Sequence, residues 1–416
     1  MIEFKLTPAQ KQMKDLTHWF AANEMRPISM LSDKLGKVPD EWLDKVNKMG
    51  ITLASGGGMG GSGSGATSQS GSSGTKQDDA EVDPEVKRQT NRTTVIAAEE
   101  VGWGDPAIAL TLPGPGLGGP PVQGSGTPEQ KQRFLSIFTK DKPRWGAYAL
   151  TEPEAGSDVS NIRTTAKKVD GGYVLNGQKI FITNGGRASW VVVFATVDRS
   201  AGRAGHRAFV VEQGTPGFRC SRLAHKMGMR ASETAELVFE DCFVPDANLL
   251  GGEEYYAKRA EGKSGFQVAM ATFDNTRPVV AAMATGIAQA AYDYTLEFVR
   301  KEYPKSGRLY QMACEKLADM EQTIQAGRLL TWEAAWKADI GQPNSKEAAM
   351  CKAYAGKNAL EVCETCLELL GPSGMDGHIV EKLYRDVKVY DIFEGTNQVQ
   401  HLIVARRLYD AFELRI

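Results

Sequence analysis

The chain has 416 residues, 42% hydrophobic and 24% charged, with a formal net charge of −2. That length holds two or three domains or one large layered subunit, and the near-neutral charge argues against a nucleic-acid-binding protein. No apolar run approaches the roughly 18 residues of a membrane-spanning helix. The start (Met1 to Lys5) reads as neither signal nor transit peptide, and six scattered Cys point to a reducing, cytoplasmic setting.

The N-terminal third reads as helical. Thr7-Pro8-Ala9-Gln10 carries the residues of a capping box, and Met13, Leu16 and Phe20 follow at helical spacing. A second helix from about Asp40 places Trp42, Leu43, Val46 and Met49 on one face, with Gly50 as its stop. Ser55–Gly74 is almost entirely Gly and Ser and reads as flexible linker or loop tip, interrupting the helical pattern. A helical stretch near Val86–Val101 precedes the Pro/Gly-rich Leu112–Gly126, and Thr127-Pro128-Glu129-Gln130 signals another helix start.

From about Trp145 to Gly252 the period becomes that of strands. Tyr173–Leu175 and Gln178–Ile182 flank Asn176-Gly177 and read as a hairpin with a type I′ turn. Trp190–Val197, Ala208–Glu212 and Ala235–Phe239 are further strand candidates. Beyond Gly265 the pattern is helical to the end, broken near Pro304, Pro343 and Pro372. Helices, then strands, then helices exclude a doubly wound α/β sheet. The chain is expected to be α+β, with a helical domain over 1–144, a β domain over 145–252 and a helical domain over 253–416.

Several motifs reduce to structure. Gly114, Gly116 and Gly119 have dinucleotide-fingerprint spacing, but Pro120-Pro121 follow where a helix should propagate, so the segment reads as loop. Gly58–Gly63 fits the same spacing inside low-complexity sequence and also reads as loop. Cys363 and Cys366 have CxxC spacing without a second pair, and read as small core residues on a helix. No HExxH or GxSxG occurs, so neither a metal nor a serine nucleophile is expected.

Three segments carry more. Tyr148 to Asp158 (including Leu150, Thr151, Gly156 and Ser157) crowds polar residues and Gly at the entry to the β region; the ordinary alternative is a surface turn. Phe181-Ile182-Thr183-Asn184 ends a strand with an aromatic and a hydroxyl on one face. Phe393-Glu394-Gly395-Thr396-Asn397-Gln398 sets one acid between an aromatic and a Gly, where a solvated helix-end carboxylate is the plain reading.

Together these segments resemble the acyl-CoA dehydrogenase family, in its medium- and short-chain branch. Met227-Gly228-Met229-Arg230, Val238–Pro245, Phe273–Val280 and Leu370–Gly374 also match, in the family's order. The resemblance implies a helical N-terminal domain, a middle β domain and a C-terminal four-helix bundle, with FAD extended between the last two. Tyr148, Leu150, Thr151, Gly156 and Ser157 would hold the flavin and its phosphates. Phe181, Ile182 and Thr183 would back its ring, and Thr396 and Gln398 would meet its adenosine end. Arg300, Tyr303, Gln311 and Gly371 would complete a neighbouring subunit's FAD site in a homotetramer.

On the same resemblance, Ser157, Asp274, Arg277, Phe393 and Gly395 would bind the acyl-CoA, and Leu112–Leu117 would shape its acyl pocket. Glu394 would take the α-proton of the thioester while the flavin accepts the β-hydride, electrons passing on to an electron-transferring flavoprotein. One branch of the family carries its base at the position of Thr276; here the acid is at 394. Phe181 replaces a usual Trp, Tyr303-Pro304 a usual Phe-Gly, and Gly371-Pro372 a usual Gly-Gly. An acyl-CoA oxidase using oxygen and a non-catalytic flavoprotein subunit are the alternatives. Oxidases carry an additional C-terminal domain, and silent relatives commonly lack the base.

Overall fold

The computed structural model describes residues 4–51, 89–139, 142–260, 265–375 and 377–411, with backbone alone at 139, 258–260, 265–275 and 410–411. The insertion at 55–74 and the Gly58–Gly63 match lie outside the described residues.

The capping box forms as expected. The Thr7 hydroxyl accepts from the Gln10 N–H at 3.2 Å, and Gln10 Oε1 accepts from the Thr7 N–H at 3.1 Å. Helix α1 (Pro8–Phe20) starts there and runs through a π turn at Ala21–Met25 into α2 (Arg26–Leu35). Of the face read from Met13, Leu16 and Phe20, Phe20 is buried while Met13 and Leu16 are exposed. His18, half exposed, reaches along the surface instead, with Nδ1 2.7 Å from Glu100 and its ring 4.6 Å from that of Trp103. Helix α3 (Asp40–Lys48) buries Trp42, Leu43 and Val46 and leaves Met49 exposed past its end.

Helix α4 (Thr90–Gly104) begins on the Asp339 carboxylate, which accepts from the Asn91 N–H at 2.7 Å and the Arg92 N–H at 3.0 Å. A short α5 (Pro106–Ala109) follows, then a 3₁₀ turn at Gly116–Gly118 leading into α6 (Gly119–Ser125). The loop expected here is thus helical. Pro120 and Pro121 occupy the first turn, where no intrahelical N–H bond is needed. The dinucleotide fingerprint fails for another reason: a helix, not a strand, precedes it. Helix α7 (Pro128–Leu135) starts at the second capping box, between Thr127 and Gln130.

Among the described residues seven strands follow: β1 (Gly146–Ala149), β2 (Thr165–Val169), β3 (Gly172–Thr183), β4 (Trp190–Thr196), β5 (His206–Glu212), β6 (Phe218–Leu223) and β7 (Thr234–Pro245). They form one sheet in the order β1-β4-β2-β3-β7-β6, with β5 also paired to β4. The expected turn at Asn176-Gly177 is instead a bulge inside β3, opposite β7. The Asn176 side chain bridges across to Asp241 with bonds of 3.1 and 2.8 Å, and a Cβ on Gly177 would fall 2.6 Å from the Thr164 hydroxyl. The hairpin turn lies earlier, at Asp170-Gly171, where Gly171 has φ +73°.

The remaining helices are α8 (Gly252–Ala260), α9 (Gly265–Glu302), α10 (Arg308–Asp339), α11 (Ser345–Leu370), α12 (Ile379–Val387) and α13 (Asn397–Ala411). The breaks between α9, α10 and α11 fall at the expected prolines. Cys363 and Cys366 are buried free thiols in the core face of α11.

The helical regions and the β-region loop at 227–229 meet at a fully buried charge cluster. Asp105 caps α5 through the Ala107 and Ile108 N–H groups, both at 2.9 Å, and accepts from the Ser29 hydroxyl. Lys382 of α12 lies 2.7 Å from Asp105 and also pairs with Asp386. Asp386 in turn accepts from the Met229 N–H. Beside it, Arg385 pairs with Asp33 of α2 at 2.8 Å and donates to the Met227 carbonyl at 3.0 Å. Burial alone would raise the Asp105 carboxyl, but Lys382 holds it below the usual carboxylate range. Removing one member strands the others, at about 3–5 kcal/mol. Lys382→Met is therefore expected to lower the unfolding free energy in urea by about that amount; a loss under about 1 kcal/mol would show that the cluster does not hold the regions together.

Candidate active site

A cavity of about 370 Å³ opens between the sheet and the C-terminal helices. Its sheet wall comprises Tyr148 of β1, then Leu150, Thr151, Gly156, Ser157 and Val159, with Phe181, Ile182, Thr183 and Asn184 at the end of β3. Its helical wall comprises Arg277 of α9, the turn Phe393-Glu394-Gly395, and Val399, Ile403 and Arg406 of α13. Leu110, Gly116 and Leu117 close it from the N-terminal region. Arg203 also lines it.

The sheet wall is anchored from beneath. Glu152 accepts from the Thr164 N–H at 3.0 Å and the Thr164 hydroxyl at 2.6 Å, and pairs with fully buried Lys179 at 2.7 Å. Lys179 also donates to the Leu150 carbonyl at 3.0 Å. Burial pushes the Lys179 ammonium down to about 8, against the opposing pull of Glu152. These bonds fix the loop that carries Thr151, Gly156 and Ser157.

Backbone strain concentrates in the walls. Among the described residues, five non-Gly residues have positive φ, and three of them line this cavity: Phe181 (+57°), Asn184 (+57°) and Glu394 (+55°). Each such residue costs on the order of 1–3 kcal/mol and persists only where surrounding contacts hold it. Asn184 is buried and donates to the Leu110 carbonyl at 3.0 Å, while its Oδ1 is buried without a partner among the described residues.

The Glu394 turn is held by side chains from three elements. The Thr276 hydroxyl donates to Glu394 Oε2 at 3.0 Å. Gln400 Nε2 donates to the Glu394 carbonyl at 3.0 Å and the Gly395 carbonyl at 3.1 Å, and Lys352 Nζ donates to the Gly395 carbonyl at 2.7 Å. Gly395 has φ +92°, and a Cβ there would fall 2.4 Å from Gln400 Nε2, so only Gly fits. Burial raises the Glu394 carboxyl above its usual range, while Thr276, Arg277 and Lys352 pull the other way. Burial first, then the Glu394 charge, holds the Tyr148 hydroxyl protonated.

Twelve of the residues expected to form the site therefore line one cavity: Tyr148, Leu150, Thr151, Gly156, Ser157, Phe181, Ile182, Thr183, Arg277, Phe393, Glu394 and Gly395. Others lie elsewhere. The Thr396 hydroxyl accepts from the Val399 N–H at 3.3 Å as a cap of α13, and Gln398 is exposed. Arg300 lies in the last turn of α9 and Tyr303 just past it, Gln311 lies in the first turn of α10 and Gly371 follows α11; the Tyr303 hydroxyl donates to the Leu369 carbonyl at 2.9 Å. The Asp274 side chain lies outside the described residues.

Sequence reasoning missed Thr276 as a partner of the acid, together with Lys352, Gln400, Asn184, Arg203 and Arg406. Val399, Ile403 and Arg406 recur at four and three residues along α13, the spacing of one helix face. Nothing local in the sequence marks Arg203.

Two family models match the chain: acyl-CoA dehydrogenase, middle domain, over 147–242 and acyl-CoA dehydrogenase, C-terminal domain, over 263–409. The acryloyl-CoA reductase (NADH) of Anaerotignum propionicum is 37% identical, over 98% of this chain and 96% of that protein. The structure of butyryl-CoA dehydrogenase from Megasphaera elsdenii superposes with a TM-score of 0.81 at 35% identity, covering 98% of this chain and 100% of that one. A chain of the structure described as the electron transferring flavoprotein of Acidaminococcus fermentans superposes with a TM-score of 0.80 at 34% identity, covering 98% and 99%.

The chain belongs to the acyl-CoA dehydrogenase family of FAD-dependent oxidoreductases. Its cavity suits that cofactor. The buried, unpartnered Asn184 oxygen is a polar group left for a ligand. Three lining arginines (203, 277 and 406) against one lining carboxylate suit a ligand that carries phosphates.

The raised Glu394 carboxyl makes a stability prediction. Above the ordinary carboxylate pKa the folded chain binds this proton more tightly than the unfolded chain, so stability falls as pH rises through that window. Glu394→Gln removes the penalty. Its melting temperature should exceed that of the wild type near neutral pH, and the gap should close as pH falls toward 4.5, the ordinary value. A gap independent of pH would contradict a desolvated, ionisable Glu394.

Proposed function

We propose that the protein removes two hydrogens across Cα–Cβ of a short acyl-CoA thioester, with Glu394 as the base. The observation that carries this reading is the acid itself. It is desolvated and hydrogen-bonded by Thr276, and it lines the same cavity as the Phe181–Thr183 strand end. Desolvation raises carboxylate basicity toward that needed to take a weakly acidic α-proton. FAD, when bound, supplies the acceptor for the hydride that leaves Cβ.

The residues of this chain do the rest. Tyr148, Leu150, Thr151, Gly156 and Ser157 would seat the flavin, and Phe181, Ile182 and Thr183 would back its ring. Ser157, Arg277, Asp274 and Phe393 would hold the acyl-CoA, with Leu110, Gly116 and Leu117 limiting its acyl end. As the α C–H bond breaks, its proton goes to Glu394, and negative charge grows on the thioester oxygen. The Glu394 N–H donates to no acceptor among the described residues and would stabilise that oxygen as a fixed donor. The Gly395 backbone permits the close approach.

Butyryl-CoA is our first substrate, on the 35% identity to a butyryl-CoA dehydrogenase. The electron acceptor we propose is an electron-transferring flavoprotein, supported by the neighbour from Acidaminococcus fermentans. We divide the chain functionally at 144/145 and 252/253. We place Thr396 and Gln398 at the adenosine end of FAD, and Arg300, Tyr303, Gln311 and Gly371 at a neighbouring subunit's FAD in a cytoplasmic homotetramer. The reductase relative favours a second reading, in which protonated Glu394 returns its proton to Cα of an enoyl-CoA.

Anaerobic butyryl-CoA should bleach the bound flavin, and acryloyl-CoA should reoxidise it if the second reading holds. Glu394→Gln should slow bleaching by about 10²–10⁴-fold while the flavin spectrum persists. An unchanged rate would remove Glu394 as the base, and no bleaching by straight, branched or cyclic acyl-CoA would overturn the dehydrogenase reading.

A further inference from the structure

Lys352 is a buried cation that the reaction above does not use. It projects from α11, is 1% exposed, and forms no ion pair with any described residue. Its hydrogen bond goes to a neutral group, the Gly395 carbonyl, at 2.7 Å. Holding a carbonyl needs only a neutral donor, and Gln400 already donates to the same oxygen. A buried ammonium is costly unless something nearby compensates its charge.

The surroundings say what. Helix α11 forms the floor beneath the base: Asn397 Nδ2 donates to the Ala353 carbonyl at 3.2 Å, and Gly356 lies against the Tyr390 carbonyl. Lys352 sits in that floor, one residue from the base along the chain it grips. The charged and titratable groups facing Glu394 are Arg277 from α9, Lys352 from α11 and Tyr148 from β1. Lys352 in turn feels Asp391 and Glu394 as attractive charges and Arg277 as a repulsive one, and burial pushes its ammonium down to about 8.

We propose that Lys352 is a positioning residue for the base: it clamps the Gly395 carbonyl, and its charge keeps the neighbouring Glu394 carboxylate in the ionised form that can accept a proton. This rests on Glu394 being the base. Too much desolvation would leave the acid protonated and unable to act, and a cation held behind the turn opposes that without bonding to the carboxylate oxygens. It therefore adds no bond to them beyond that of Thr276 on Oε2, as a direct Lys–Glu ion pair would.

The test needs no substrate, so it stands apart from whether acyl-CoA bleaches the flavin. In the FAD-loaded protein, the Glu394 carboxyl is followed by pH-difference infrared spectroscopy, using Glu394→Gln to assign its band. Lys352→Gln, which keeps a donor but no charge, should move the Glu394 midpoint up by about one pH unit, a roughly tenfold gain in proton affinity. Lys352→Arg should return it toward the wild-type value. If Lys352→Gln fails to fold, the reciprocal measurement decides. The NMR titration of ¹⁵N-labelled Lys352 should shift to lower pH in Glu394→Gln than in wild type, because coupling between two sites is mutual. An unchanged Glu394 midpoint in a folded Lys352→Gln, or an unchanged Lys352 midpoint in Glu394→Gln, would overturn the proposal.

Discussion

The buried cluster of Asp105, Lys382 and Asp386 is the constraint on which the rest depends. It joins the segment after α4, helix α12 and the Met227–Met229 loop at one dry point. The cavity lies between a strand wall and a helical wall, and neither wall is complete alone. Any slip between the regions would separate Glu394 from the Phe181–Thr183 strand end. Apolar packing tolerates small shifts; buried charges do not, because a displaced partner leaves an uncompensated ion. The cluster therefore fixes relative position more than it adds net stability.

Within that frame, the site is built from unfavourable elements held in place by favourable ones. Phe181, Asn184 and Glu394 carry left-handed backbones, and Glu394 is desolvated. Thr276, Gln400 and Lys352 reach the Glu394 turn from three helices, while Glu152 and Lys179 brace the opposite loop. Strain and desolvation are tolerable where such contacts over-determine the geometry. The result is an acid whose position is set before any ligand arrives, which is how enzymes limit reorganisation during a proton transfer.

Much of this was legible in the sequence. Both capping boxes, the proline breaks between the long helices and most strands follow from local chemistry, since each depends on residues only a few positions apart. The family motifs brought twelve separated residues to one cavity. What escaped had non-local causes. Asn176-Gly177 has the residues of a turn, yet Asp241 and Thr164 make it a bulge. Pro120-Pro121 looks like a helix breaker but starts a helix. Thr276 and Lys352 lie 118 and 42 positions before Glu394, and no spacing links them to it; only the packing of α9 and α11 against the Glu394 turn does.

The central claim is that Glu394 takes the α-proton as the flavin is reduced. The most direct measurement is the anaerobic rate of flavin bleaching in rapid mixing with butyryl-CoA deuterated at Cα. This isolates the first half-reaction from product release. The account predicts that deuterium at Cα slows bleaching by a primary isotope effect in the wild-type protein. A rate indifferent to deuterium at Cα, with slowing only on deuteration at Cβ, would contradict it.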